Sequence, residues 1–464
     1  MTHAVPTSFV VFGVTGDLAH RKLIPALFDA VADTNDHDVR LIGVSSQPIG
    51  AAGVQEIVRK SLADRGNRGS AVARFVERST HALVSRDSDT LDDLGKQLRE
   101  IEGPGPNNRV FYLAIPPGPA ASISTMIGKA RLLDAGGWGR IVLEKPFGRD
   151  LASATALNEL LHEYFSETQI YRMDHYLGKE AVQNLLTFRF ANPLFESTWN
   201  RDRIESVDIR VAEDIGVGER AGYYEKSGAV RDMIQNHLTQ LTTLVGMEAP
   251  SSFTAEAIRD SKVRVLESVR TVATRDVVYG QYAPASINGE LVPGYHDEPD
   301  VEPGSKTPTF VHIRLAIDNW RWQGVPFYLT TGKRLNERSS AIVVTYRPAP
   351  VCIFHGREDD CPIGRNTVTL RIQPHEGFDV GFSVKDPDPE MQVVSKPLSF
   401  DYSDAFKDIP DAYRTLVTDI LEGDQTLFVR GDEVEASWRV YEDVLDPTAA
   451  PLSYPAGSSG PKLS

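Results

Sequence analysis

The chain has 464 residues, with 49 Lys and Arg against 64 Asp and Glu, so its formal charge is 49 − 64 = −15. Long-range repulsion at that balance opposes nucleic acid and anionic membrane surfaces, and 41% hydrophobic with 24% charged residues excludes a disordered or fibrous chain. At about 150 residues per domain, two or three domains are expected. No apolar run approaches the roughly 20 residues of a membrane span, and the opening MTHAVPTSFVVFG has neither a charged n-region nor a cleavage site. The expectation is a soluble, unexported, cytoplasmic protein. Cys352 and Cys361 offer neither a disulfide framework nor a CxxC pair, and they read as structural filler.

Residues 8–12 form a short apolar strand, followed by Gly13-Val-Thr-Gly16-Asp-Leu-Ala19 and an amphipathic run over residues 22–31. A strand, a glycine turn and a helix in that order let backbone amides approach a pyrophosphate. Taken alone, GxxGxxA fits any tight βα turn equally well. A second strand over residues 39–44 supports a βαβ unit. Dinucleotide folds place an acid for a ribose hydroxyl, or an arginine for a 2′-phosphate, at its end. Here stand Ser45, Ser46 and Gln47. Further strands at residues 110–115, 139–143 and 170–173, spaced by helix-length segments, predict a parallel sheet with helices on its faces. In such sheets chemistry sits beyond the carboxyl ends of the strands, where Lys145 and Asp174 fall. Lys145 by itself reads as a solvated surface amine.

Beyond about residue 200 the apolar pattern changes to period two: Val207, Ile209, Val211; Val311, Ile313, Leu315, Ile317; Val368, Leu370, Ile372; Phe378, Val380, Phe382, Val384. Residues 309–385 leave little room for crossover helices, so a largely antiparallel sheet in an α+β domain is predicted. Helices are expected at residues 151–165, 180–190, 229–245, 412–421 and 433–441. Residues 280–308, rich in Gly and Pro, read as a long functional loop, and residues 456–464 as a mobile tail. On the 229–245 helix, His237 shares a face with Met233, Leu241 and Leu244, the pattern of a satisfied core histidine. In Arg172-Met-Asp-His-Tyr-Leu-Gly-Lys-Glu180, a helix starting at Gly178 puts Lys179 at a positive dipole end, where His175, Tyr176 and Lys179 can clasp an anion.

The run DHYLGKE at 174–180 resembles the signature of the glucose-6-phosphate dehydrogenase family. With it, in the family's order, come Gly13-VTGDLAHRKL-Ile24-Pro25, Phe111-YLAIPP, Glu144-KPFG, Gly222-YYEKSGAVRDMIQNHLTQL, Gln281-Y, Val292-PGY, Ile317-DNWRWQGVPFYLTTGKRLNER, Arg371-IQPHEG and Leu427-FVRGDE, covering nearly the whole chain. The resemblance implies a Rossmann-like NAD(P)-binding domain over residues 1–175. It implies a C-terminal α+β domain over residues 176–464, built on a large, mainly antiparallel sheet that binds substrate and forms a homodimer or a dimer of dimers. The implied reaction is oxidation of glucose 6-phosphate at C1 to the phosphogluconolactone, with hydride passing to NADP or NAD and no metal.

By position, the resemblance makes His237 the general base and Asp174 its orienting carboxylate. It gives the substrate phosphate to His175, Tyr176 and Lys179, with Arg338 nearby. Lys145, Glu213, Asp232, Lys333 and Gln373 go to the sugar. Gly13, Thr15, Gly16, Asp17, Leu18, Ser46 and Lys145 go to the cofactor. The chain departs from the pattern at Ser46, where many members carry an arginine for the 2′-phosphate. It departs again at Thr330 and Ser339, where basic residues hold a second, structural NADP in animal members, so no structural cofactor is expected. Two alternatives stand beside this reading: a related oxidoreductase for another sugar, since Glu-Lys-Pro also occurs in the glucose-fructose oxidoreductase type, and a silent sugar-phosphate-binding protein. The overall negative charge does not oppose phosphate ligands. Residues 404–446 hold 12 acids and 4 bases, a local −8, and small anions respond to nearby cations rather than to a screened total.

Overall fold

The computed structural model describes residues 5–32, 38–85, 87–354, 363–387 and 392–463. The chain divides into two compact units: Met1–Gly178 with Thr254–Arg259 and Pro410–Val434, and Lys179–Phe253 with Asp260–Ile409 and Glu435–Ser464.

In the first unit the apolar runs become strands β1 (Thr7–Phe12), β2 (Val39–Ser45), β3 (Thr80–Leu83), β4 (Asn107–Leu113), β5 (Gly136–Glu144) and β6 (Ile170–Met173). They are parallel throughout and ordered β3-β2-β1-β4-β5-β6, and the short strand Phe428–Val429 closes the β6 edge antiparallel. β1 and β4 are buried at every position, as strands covered by helices on both faces must be. The strand order reverses between β1 and β4, the switch point at which such sheets open a crevice. β3, only four residues long, carries too little periodicity to have been foreseen.

The return of Pro410–Val434 to this unit was likewise not foreseen. Its helix Ala412–Glu422 starts at Asp411, whose Oδ1 accepts from the Tyr413 amide at 3.0 Å, and stops at Gly423 in the left-handed region, φ 90°. Leu416, Val417 and Ile420 are buried in one core with Leu27 and Phe28, each such side chain contributing about 1.5–3 kcal/mol.

The second unit is built on a nine-stranded sheet. Its order is Val393–Asp401, Gly377–Lys385, Thr367–Gln373, Ser339–Tyr346, Ile204–Ala212, Pro326–Gly332, Phe310–Ala316, Val277–Ala283 and Leu452–Pro455. Neighbours are antiparallel except Ile204–Ala212 with Pro326–Gly332, and Val277–Ala283 with Leu452–Pro455. Val207, Ile209, Val368, Leu370 and Ile372 alternate into the core. On Gly377–Lys385 the alternation persists but the cover does not. Phe378 packs against Phe188 of the helix Glu180–Phe190, at 5.2 Å between ring centroids, while Phe382 and Val384 are 41% and 42% exposed.

Other expectations are corrected. Residues 280–308 are not one long loop. They extend strand Val277–Ala283 and then form a hairpin, Ala285–Ile287 with Glu290–Val292, turned by Asn288-Gly289 at φ 53° and 86°, a pair suited to a tight primed turn. The described residues of the tail are packed rather than mobile: Ala456 and Gly457 donate to the Ala283 and Arg334 carbonyls, and Ser458 accepts from the Asn336 amide at 2.9 Å. Cys352 is disulfide-bonded rather than filler; Cys361 lies outside the described residues. The 229–245 helix is continuous in extent but changes winding, with Val230–Leu238 in π form and Thr239–Gly246 in α form.

Candidate active site

The first unit opens a cleft of about 580 Å³ at the β1–β4 switch point. It is lined by Gly13, Thr15, Ser46, Gln47, Ser85 and Pro116 among others, and no described lining side chain is charged. Gly13 has φ 82°, and a Cβ there would lie 2.4 Å from the Ala114 carbonyl oxygen. The close approach of two strand ends therefore dictates glycine. Gly16 tightens the same turn by donating its amide to the Gly13 carbonyl at 2.9 Å. Ser45 pairs with His81 at 3.0 Å, and burial pulls the His81 pKa below its usual value, so the imidazole is neutral at pH 7.

Of the residues expected at the cofactor, Gly13, Thr15 and Ser46 line this cleft. Gly16, Asp17, Leu18 and Lys145 do not. Asp17 is exposed beside Arg21 at 3.6 Å, a pairing of little energetic weight, and Leu18 packs against the core.

Lys145 directly follows β5, and Asp174 directly follows β6. Asp174 is 1% exposed, and its Oδ1 accepts from the Tyr176 amide at 3.0 Å. The carboxylate thereby shapes the turn that carries His175 and Tyr176. His175 stands against Tyr176 at 5.1 Å and stacks on Tyr413 at 6.2 Å, with 19° between the planes. Tyr112 and Tyr413 both direct hydroxyls to Oε1 of Glu144, at 2.5 and 3.4 Å. Desolvation dominates there and raises Glu144 to about 7, against the lowering effects of the two tyrosines and Lys145 and with a further rise from Asp174. Sequence reading passed over Tyr112 and Glu144 although both lie in quoted motifs. Tyr413 had no local signal at all.

In the second unit Lys179 is the residue before the helix Glu180–Phe190 and is 9% exposed. The helix begins at Glu180 rather than Gly178, and the Ala181 amide donates to Glu376 at 2.9 Å, so the positive end of this helix already faces one acid. Lys333, 8% exposed, donates to Glu213 at 2.7 Å and lies 5.2 Å from the Tyr224 ring centroid. Burial first, then the charges of Asp232 and Glu213, hold the Tyr224 hydroxyl well above its usual pKa, so it stays protonated and donates to the Pro308 carbonyl. Glu213, Asp232, Lys333 and Tyr224 thus form one electrostatic group. Gln373 ends its strand, half-buried. Arg338 is exposed, with no hydrogen bond or ion pair among the described residues.

His237, 1% exposed, lies in the π segment. The wide turn frees carbonyls that side chains five residues on then satisfy: Asn236 donates to Arg231 O at 3.1 Å and Thr239 to Ile234 O at 2.6 Å. Gln235 and Thr239 are tied in turn to Ser437 and Tyr441. The helical face inferred from α spacing is therefore wrong, because π winding redistributes residues 233 and 237, and the segment is buried nearly all round. π turns of this kind recur at functional positions.

Two family models match the chain: glucose-6-phosphate dehydrogenase, NAD binding domain, over residues 10–184, and glucose-6-phosphate dehydrogenase, C-terminal domain, over residues 186–464. The chain is 42% identical to glucose-6-phosphate 1-dehydrogenase of Mycolicibacterium smegmatis, over 98% of this chain and 94% of that protein. It is also 42% identical to the enzyme of the same name from Rhizobium meliloti, over 99% and 95%. A solved glucose-6-phosphate dehydrogenase in complex with its substrate glucose-6-phosphate superposes with TM-score 0.92 at 34% identity, covering 99% of this chain and 96% of that one. Matched in this way along nearly its whole length, the chain belongs to the glucose-6-phosphate dehydrogenase family.

Proposed function

We propose that this chain oxidises D-glucose 6-phosphate at C1 to 6-phospho-D-glucono-1,5-lactone, the entry to the oxidative pentose phosphate route, using NADP, with NAD as an alternative acceptor. The observation that carries this is the full-length likeness to a dehydrogenase holding glucose 6-phosphate. The cleft at the switch point fits a dinucleotide, since it opens at the end of β1 beside the tight Gly13–Gly16 turn, where backbone amides can approach a pyrophosphate. When bound there, the cofactor supplies the hydride acceptor. Gly13, Thr15, Gly16, Asp17, Leu18, Ser46 and Lys145 are the residues assigned to holding it. Ser46 brings a hydroxyl where an arginine would grip a 2′-phosphate, and this underlies the tolerance of NAD.

His237 takes the C1 hydroxyl proton, a task suited to an imidazole that is neutral near pH 7. Asp174 fixes its tautomer and steadies the imidazolium. His175, Tyr176 and Lys179 hold the phosphate, with Arg338 close by. Lys145, Glu213, Asp232, Lys333 and Gln373 orient the sugar hydroxyls, and the Lys333–Glu213 pair at 2.7 Å supports a preformed pocket. The reading requires no metal and no second, structural dinucleotide.

A homodimer through the nine-stranded sheet belongs to the same reading. Phe382, Val384 and Leu398, the last 67% exposed, leave apolar surface on the edge strand Val393–Asp401 and its neighbour Gly377–Lys385, and light scattering of the purified chain tests it.

The enzymatic test is formation of reduced nicotinamide from glucose 6-phosphate, with NADP and NAD supplied separately. Turnover with at least one is expected; turnover with neither overturns the reading.

A further inference from the structure

We propose that Glu144 is a positioning residue for the substrate-phosphate site, acting through Tyr413 on His175; this rests on the assignment of His175 to the phosphate. Tyr413 reaches the strand ends of the first unit from the far part of the sequence. It is fixed at two points. Its amide donates to Asp411 Oδ1 at 3.0 Å, and Asp411 itself pairs with Lys22 at 2.8 Å. Its hydroxyl points to Glu144 Oε1 at 3.4 Å, where the Tyr112 hydroxyl also ends. A ring held at backbone and hydroxyl is a rigid platform, and the His175 imidazole stacks on it at 19°. Glu144 adjoins Lys145 and belongs to the first unit's sheet, so one carboxyl fixes both the strand end and the platform.

The ionisable groups facing Glu144 are Tyr112 from β4, Tyr413 from the helix Ala412–Glu422, Lys145 beside it in sequence and Asp174 after β6. As an anion, Glu144 accepts from both tyrosines as charge-assisted bonds; once protonated, it accepts only as a neutral group and the bonds weaken. Because burial raises its pKa to about 7, the tighter state is gained as pH rises through that value and lost as pH falls through it.

The test compares the wild-type chain with Glu144→Gln and Tyr413→Phe in steady-state kinetics with glucose 6-phosphate, free glucose and the cofactor. Near pH 8 both variants are expected to raise KM for glucose 6-phosphate about fivefold, the difference between a charged and a neutral hydrogen bond. KM for free glucose and for the cofactor should stay unchanged, with kcat affected less than KM. Near pH 6 the wild type and E144Q should converge, because Glu144 is then protonated. Tyr413→Phe, which keeps the ring, carries the test if E144Q does not fold. An equal rise in KM for sugar with and without phosphate, or a wild-type to E144Q ratio that does not change with pH, overturns the proposal. Absence of turnover by the wild type overturns the functional reading and this inference with it, whereas active variants with unchanged KM overturn this inference alone.

Discussion

The cleft of the first unit is bounded by strand ends, a glycine turn and side-chain hydroxyls, with no described charged lining. The candidate substrate residues of the second unit are instead ions, the buried Lys333 paired with the half-buried Glu213 and, close to them, the buried Asp232. A shape made of backbone recognises what many related ligands share and tolerates changes in side chains around it. Buried charges demand fixed partners, because each loses its hydration and is costly if left alone. The first kind of site is general and the second selective, which suits a common dinucleotide on one side and a particular sugar phosphate on the other.

The contrast can be broken at either end. The largest effect is expected from His237→Asn, with loss of about 10² to 10⁴ in kcat while sugar still binds; retention of most turnover in a pre-steady-state and steady-state comparison removes the base assignment. Next comes Gly13→Ala. A Cβ 2.4 Å from the Ala114 oxygen at φ 82° costs about 1–3 kcal/mol of strain, and KM for the cofactor should rise about tenfold or more with KM for the sugar nearly constant. If both constants move together, the cleft is not a separate recognition surface. Ser46→Arg should raise kcat/KM for NADP relative to NAD about 10-fold, more at low salt, through a charge-assisted contact; no change in the ratio would place the 2′-phosphate elsewhere.

The smallest effect concerns Asp419, raised to about 7 by burial and by Asp424 and Glu422. Its folded-state pKa lies above the unfolded value, so its ionisation destabilises the fold increasingly as pH rises between the two and fully above about 7. Asp419→Asn is therefore expected to raise Tm at about pH 8 and to leave it unchanged near pH 3, as followed by circular dichroism; equal shifts at both would assign the gain to packing.

How much could be read beforehand differs between the same regions. Strand Ile170–Met173 was placed to the residue and helix Glu180–Phe190 in its extent, though not with the start at Gly178 that the anion argument used, because apolar runs and local spacing define them. The glycine turn at Gly13 was legible for the same reason, its cause being local. His237 was placed on a helix of the right extent but on a face that does not exist, since hydrophobic periodicity cannot tell i→i+5 winding from i→i+4. The hairpin at Asn288-Gly289 carried a usable signal that the surrounding Gly and Pro obscured. Tyr413 could not be found, because its position beside Glu144 depends on a contact 269 residues away in sequence. The stretch around it entered the sequence reading only as a local charge of −8, and it carries the ring on which His175 stacks.

Closing the β6 edge with Phe428–Val429 also sets an order of events during synthesis. The parallel sheet of the first unit is complete in sequence by Met173, yet its last edge stays unpaired, and the core face that receives Leu416, Val417 and Ile420 stays uncovered, until more than 200 further residues have left the ribosome. An open strand edge beside an exposed apolar face is a template for pairing with another nascent chain. The half of the molecule that is made first is therefore among the last to be finished, and a chain stopped before Pro410 should aggregate through that edge rather than accumulate as a folded dinucleotide-binding fragment.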